Sequence, residues 1–176
     1  MSKTKWNLDP SHSEVIFKVK HMMITNVSGS FDEFSVEAST EGEDFTKSEV
    51  LFSAKAASVN TNSEQRDTHL RSAEFFDADK FPELKFKATG FEKASGDDYK
   101  LKGDLTIKDV TKPISLDVEF GGIQKDPWGN TKAGFTVSGK INRKDFGLTW
   151  NTTLETGGVM VSEDVRISCE IQLVKA

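Results

Sequence analysis

At 176 residues, 36% hydrophobic and 29% charged, the chain is long enough to bury a core and is composed neither like a membrane protein nor like a disordered one. A net charge of −5 without a basic stripe argues against nucleic acid and against anionic lipid surfaces; no apolar run reaches the length of a membrane span, so no stable membrane insertion is expected. The single cysteine, Cys169, excludes an intramolecular disulfide and a cysteine-based zinc cluster.

The first segment, MSKTKWNLDPSHSE, has no apolar h-region. It predicts a cytoplasmic protein if this is the native start, and a periplasmic one if the chain is a trimmed mature form. Period-two alternation then begins, the mark of half-buried antiparallel strands. VIFKVKH puts Val15, Phe17, Val19 and His21 on one face and Ile16, Lys18 and Lys20 on the other. Strands are also expected over roughly 27–40 and 49–59.

The alternation stops at 63–74, where good helix formers predict one helix. Asn62 is the expected N-cap, with Gln65 completing a capping box. Arg66, Leu70 and Ala73 would share a helical face, with His69 beside them. DADKFPE then reads as a turn leading to Pro82.

Strands resume at 84–92. YKLKGDLTIK alternates Tyr99, Leu101, Gly103, Leu105 and Ile107 with polar residues, and ISLDVEF does the same with Ile114, Leu116, Val118 and Phe120. FTVSGKI and VRISCEIQL repeat the pattern, placing Cys169 in phase with Val165, Ile167, Ile171 and Leu173. Turns are expected at 95–98, 109–113 and 126–130, the last with Trp128 on an exposed hairpin tip.

Eight alternating strands over residues 1–176, without a composition shift, predict a single all-β domain, as an up-and-down barrel or a two-sheet sandwich. The lopsided aromatic usage, 13 Phe against one Tyr and three Trp, favours a very apolar interior. That interior is either solid core or a lined cavity. The inward Gly103 and Gly139 leave the choice open, since a strand glycine marks a bend or a close approach.

Four blocks bear on that choice: LDPSHSEVIFKVKH at 8–21, RDTHLRSAEFFDADKFPELKFKA at 66–88, GDLTIKDVTKPISLDVEF at 103–120 and GFTVSGKINRKDFGLTW at 134–150. In this order they resemble the YceI-like family, lipocalin-like proteins associated with polyisoprenoid binding. The resemblance implies an eight-stranded antiparallel lipocalin-like barrel around a long apolar pocket, and no metal or redox cofactor. It further implies a long-chain amphipathic ligand, either a polyisoprenoid lipid or a fatty-acid-like one, and a possible homodimer. Many members of the family carry an export signal, which this segment lacks.

Under that resemblance, strand phase supplies the apolar lumen: Val15, Phe17, Val19, Phe52, Phe86, Leu101, Leu105, Leu116, Val118, Phe135, Val137 and Ile167. The polar head would meet His12, His21, Arg66 and His69. His21 is in phase with the inward residues of its strand, and a buried polar group needs a partner. The guanidinium fork of Arg66 suits a carboxylate or phosphate, unless Asp67 neutralises it. Structural hydrogen bonding is the competing role for the histidines. Their spacing fits no recognised metal motif.

Asp67, His69 and Ser72 hold the side-chain types of a hydrolytic triad, but on one helix they point apart, and no G-x-S-x-G elbow is present. No catalytic residue is therefore assigned. The function expected is a lipid carrier acting by enclosure, for isoprenoid transport or storage. The alternatives are a stress-associated interaction module with a packed interior, or a hydrolase on a lipid-like substrate.

Overall fold

The computed structural model describes residues 3–22, 24–151 and 161–176. Eleven strand segments and one α-helix are described. In chain order they are β1 (Lys3–Leu8), β2 (Glu14–His21), β3 (Thr25–Phe31), β4 (Phe34–Glu41), β5 (Asp44–Lys55) and β6 (Val59–Asn60). The helix α1 (Glu64–Arg71) follows, then β7 (Glu83–Ser95), β8 (Asp98–Ile107), β9 (Val110–Lys125), β10 (Thr131–Asn142) and β11 (Asp164–Lys175).

All pairings are antiparallel, in the order β1-β4-β5-β7-β8-β9-β10-β11-β2-β3-β6, and β1 pairs with β11 as well. That last pairing closes an eight-stranded barrel. The extra segments arise because three of its staves are broken. β11 pairs with β2 through Arg166–Glu170 and with β1 through Leu173–Lys175, so β1 and β2 are two halves of one stave. Likewise β3 and β4 are halves of a second, and β5 and β6 of a third.

The breaks lie side by side. The first is a 3-10 turn, Pro10–His12, where proline supplies no N–H for the ladder. The second is Asp32–Glu33 and the third the 3-10 turn Ala56–Ser58. The Asp32 amide donates to the Ser58 carbonyl at 3.1 Å and the Lys55 amide to the Glu33 carbonyl at 2.9 Å, so the second and third breaks are stitched to each other.

β1 is an element that the alternation did not reveal. Only Trp6 of KTKWNL is buried, and its neighbours in the sequence are polar, so the stretch is too short and too hydrophilic to signal a strand. Yet Trp6 is fully buried, and its Nε1 donates to Thr40 Oγ1 at 2.9 Å. Thr40 in turn donates to the Gly42 carbonyl at 2.6 Å. Trp6 lies 5.1 Å from Phe45, which meets Phe135 at 5.0 Å; Phe135 stacks on Phe120 at 5.0 Å. Phe91 and Tyr99, stacked at 4.6 Å, complete this aromatic floor.

The helix is shorter than its predicted span and starts from a different cap. Asn62 sits in the left-handed region at φ 63°, and Ser63 is the N-cap, its Oγ accepting from the Arg66 amide at 3.3 Å. Gln65 therefore closes no capping box around Asn62. At the far end the Ser72 hydroxyl donates to the His69 carbonyl at 2.5 Å, competing with the helical ladder. Ala73 thus falls outside the helix. The turn expected at 109–113 is also tighter, because β9 begins at Val110 and Lys108 takes the positive φ of 58°.

Gly103 and Gly139 mark close approaches by neighbouring core side chains. A Cβ on Gly103 would lie 2.4 Å from the Phe86 ring and 2.6 Å from the Lys87 carbonyl oxygen; one on Gly139 would lie 2.3 Å from a terminal methyl of Leu116. The carbonyl cannot yield, whereas the methyl can rotate. Gly103→Ala should therefore destabilise the fold by roughly 1–3 kcal/mol and Gly139→Ala by clearly less, measured by denaturant unfolding. Equal losses would contradict this packing.

At the floor end, Lys132 Nζ lies 2.9 Å from Asp9 Oδ2 and 3.8 Å from Asp126 Oδ2. The lysine, with the Ser11 hydroxyl and His12, holds the Asp9 carboxyl well below the usual carboxylate range. A depressed folded-state value gives stability that is present above pH ~4 and lost as pH falls through it. Asp9→Asn should remove that part of the acid-induced fall in Tm; an unchanged acid limb would show that other carboxylates govern it.

Candidate functional site

The barrel encloses a cavity of about 770 Å³. All twelve apolar residues assigned to the lumen by strand phase line it. Several of these inward side chains, among them Phe52, Leu101, Phe135 and Ile167, are only half-buried although they face inward. Their remaining exposure is towards the cavity, so the interior is hollow, unlike the packed interior of the alternative reading. Below lies the aromatic floor, where Trp6, Tyr99 and Phe120 back the cavity-lining Phe45, Phe91 and Phe135.

At the other end, α1 and the chain ends of β2 and β10 bring the polar groups together. His21, Arg66 and His69 line the cavity, together with Ser63, Gln65 and Lys20. His12 does not join them, which corrects its assignment. Its exposed ring sits on the Pro10–His12 turn, with Nδ1 3.0 Å from Asp9 Oδ2 and 3.1 Å from Ser11 Oγ. The residue flanks a stave break on the outer wall, where a local acid already satisfies it.

Arg66 is exposed, and it is not neutralised by Asp67. Its Nε donates to Thr61 Oγ1 at 2.7 Å and Nη2 to the Thr61 carbonyl at 2.8 Å. Asp67 is buried and instead accepts from the Thr61 amide at 2.9 Å and the Thr61 hydroxyl at 2.6 Å. Thr61 thus ties both side chains to the end of the broken third stave. His69 has Nε2 2.9 Å from Glu74 Oε2, and its ring meets Trp150 edge-on at 4.8 Å and Phe75 at 5.1 Å. Phe76 packs on Phe31, and Phe31 on Phe17, so α1 and its following turn are held by aromatic contacts.

The residue types of a triad do not assemble. Asp67 faces Thr61, His69 faces Glu74, and the Ser72 hydroxyl is spent on the His69 backbone. His12 and His69 each meet a single acid, Asp9 and Glu74, and among the described residues no group of three or more His, Cys, Asp or Glu stands where it can hold a metal ion.

Arg143 is the residue that sequence reasoning missed. It is 3% exposed, lines the cavity, and donates only to backbone carbonyls. Nε meets Ser162 at 2.8 Å, Nη1 meets Leu148 at 2.6 Å and Trp150 at 2.9 Å, and Nη2 meets Val161 at 3.2 Å. Burial pushes the proton affinity of its guanidinium down. Strand phase held the signal, because Phe135, Val137, Gly139 and Ile141 continue by twos to Arg143. His21 ends its own strand in the same way.

A model of the YceI-like domain matches residues 6–173. The chain belongs to the YceI-like family. It is 39% identical over 170 residues to the UPF0312 protein SA2479 of Staphylococcus aureus (strain N315), covering 96% of each chain. A crystal structure of the YceI protein of Campylobacter jejuni superposes with a TM-score of 0.77 at 35% identity, covering 90% of this chain and 91% of that one. Burkholderia cenocepacia BcnA gives a TM-score of 0.81 at 20% identity, covering 94% and 98%. A polyisoprenoid binding domain from Saccharophagus degradans gives 0.70 at 15%, covering 97% and 98%. The last two share the fold.

Within the family barrel, Cys169 lines the cavity wall as its strand phase indicated. Burial pushes its thiol up to about 12. At pH 8 the thiolate should be scarcer than in an exposed cysteine by roughly a thousandfold. A small aqueous thiol reagent should accordingly react slowly with the folded protein and rapidly once urea unfolds it. Fast labelling of the native state would contradict this environment.

Proposed function

We propose that the protein is a carrier or binding protein that encloses a long-chain amphipathic lipid, a polyisoprenoid or a fatty-acid-like molecule, without transforming it. The supporting observation is the hollow, apolar barrel with an aromatic floor at one end and polar side chains at the other. A tail placed in the cavity would leave water at ~0.8 kcal/mol per CH₂, so a five-carbon isoprene unit contributes about 4 kcal/mol as an upper bound. Even after ordering costs, a few such units suffice for binding. Affinity then follows from the tail, and tolerance of varied tails is expected because one methylene changes it only modestly.

A head group at the mouth would meet Arg66, His69 and His21, and so set the orientation of the chain. The family barrel is also the fold of a domain named for polyisoprenoid binding, which agrees with this reading.

Native mass spectrometry after gentle purification, followed by organic extraction, tests the proposal directly. A co-purifying lipid at near-stoichiometric amount is expected. Ile167 is half-buried and faces the void, so Ile167→Trp should fill space without displacing packed core. It should weaken uptake of a hydrophobic fluorescent dye at least tenfold with little change in Tm. An interior closed to such dyes, and repeatedly free of any adduct, would overturn enclosure.

A further inference from the structure

Beyond His21 the chain turns from β2 into β3, and the Ile24 amide donates to the His21 carbonyl at 3.2 Å to close the turn. Met22 is 41% exposed there and Ile24 76% exposed. Met22 also holds a φ of 52°, a left-handed conformation that turns ordinarily give to glycine or asparagine. A small or polar residue would serve this turn at lower cost, so turn chemistry does not account for the two apolar side chains. Among the described residues the other large exposed hydrophobics, Leu51 and Trp128, each stand alone.

The outer wall behind this tip is basic, although the chain carries a net charge of −5. Strand register sets Lys18 opposite Arg166 and Arg166 opposite Lys140, so three cations stand abreast across β2, β11 and β10. Lys20, also exposed, follows on β2 opposite Asn26. The linear sequence hides this patch, because its members come from three strands far apart in the chain. Like charges directly opposite one another weaken a sheet, so the row is not there for the sake of the fold. Local acids offset little of it. Lys140 meets Asp164 at 3.7 Å, Glu163 is engaged by Lys144 at 2.8 Å, and no described acid pairs with Lys18, Lys20 or Arg166.

Tip and row are spaced to fit a bilayer surface. At about 3.3 Å per residue, Lys18 lies ~10 Å behind His21 along β2. An apolar tip sunk about 5–10 Å into the headgroup boundary brings Lys20, and then the row, to the level of the lipid phosphates. Two side chains are too few for the core of a protein interface, which takes roughly 800 Å² from each partner, but enough to enter a lipid interface.

We propose that this end of the barrel docks on bilayer surfaces that contain anionic lipid, with Met22 and Ile24 entering the interface and Lys18, Lys20, Lys140 and Arg166 facing the phosphates. Docking is peripheral, with the strands outside the hydrocarbon and the cavity mouth turned towards the membrane. The docking surface lies on the outside of the barrel and does not depend on the cavity holding a lipid.

Co-sedimentation of the full chain with vesicles provides the test. Mixed phosphatidylcholine and phosphatidylglycerol vesicles should bind it at least tenfold more tightly than phosphatidylcholine alone, and added salt should shrink that ratio. Ile24→Asp should weaken binding to the mixed vesicles at least tenfold. The double variant Lys18→Glu with Arg166→Glu should abolish the preference for them. All three side chains are exposed, so Tm should change little. Lys47→Glu, which makes the same charge change at the floor end, and Trp128→Ser should leave vesicle binding as it was. Equal binding to both kinds of vesicle overturns the proposal. So does loss of binding in Trp128→Ser without loss in Ile24→Asp, which would move the contact to the floor end. Protein that stays in the supernatant with lipid extracted from the vesicles overturns docking and leaves enclosure standing. A concentration-dependent dimer that Ile24→Asp abolishes, with no vesicle binding, would assign the tip to a second copy and overturn docking as well.

Discussion

The barrel depends on a single act of closure, the insertion of β1 between β4 and β11. Without it β4 and the end of β11 would present unpaired N–H and C=O groups, the exposed edges that invite another chain to pair. With it the sheet has no free edge at this seam, and its inner face can remain hollow. The ladder is backed by side-chain packing. Trp6 lies beneath the floor, its one polar atom answered by Thr40. A strand of six residues therefore both completes the hydrogen-bond ring and caps the interior.

Eight of the thirteen phenylalanines gather at the two ends of the barrel. Phe45, Phe91, Phe120 and Phe135 join Trp6 and Tyr99 in the floor, where edge-on and stacked rings fill a tapering space. Phe17, Phe31, Phe75 and Phe76 gather near α1, where they bind the helix to the wall. Between the two groups lies the void, lined by aliphatic chains such as Leu105, Val137 and Ile167 together with the rings of Phe52 and Phe86.

Much of this was legible because alternation is a direct imprint of the barrel wall. The inward phase of VIFKVKH, YKLKGDLTIK, ISLDVEF, FTVSGKI and VRISCEIQL, with the runs at 49–59 and 84–92, supplied twelve lumen residues that all line the cavity. Legibility failed where periodicity did. β1 was too short and polar to register, and the stave breaks look like ordinary alternation until pairing separates them. The helix was visible, but its cap shifted from Asn62 to Ser63 because a left-handed backbone at Asn62 turns the chain before the helix begins. His12 was assigned by residue type alone, and an adjacent aspartate claimed it. Arg143 was overlooked for the opposite reason. The strand phase pointed inward, but the run was read as ending at Ile141.

The three tryptophans occupy three different levels of the molecule. Trp6 is sealed under the floor, Trp150 is half-buried at the mouth, and Trp128 stands 83% exposed on the β9–β10 hairpin at the floor end. Indole emission shifts to the red as its surroundings become wetter, so these side chains occupy a dry, an intermediate and an aqueous optical environment. The protein thereby carries its own set of spectral reporters. Events at the mouth act on Trp150, loosening of the closed end acts on Trp6, and Trp128 provides a solvent-exposed reference.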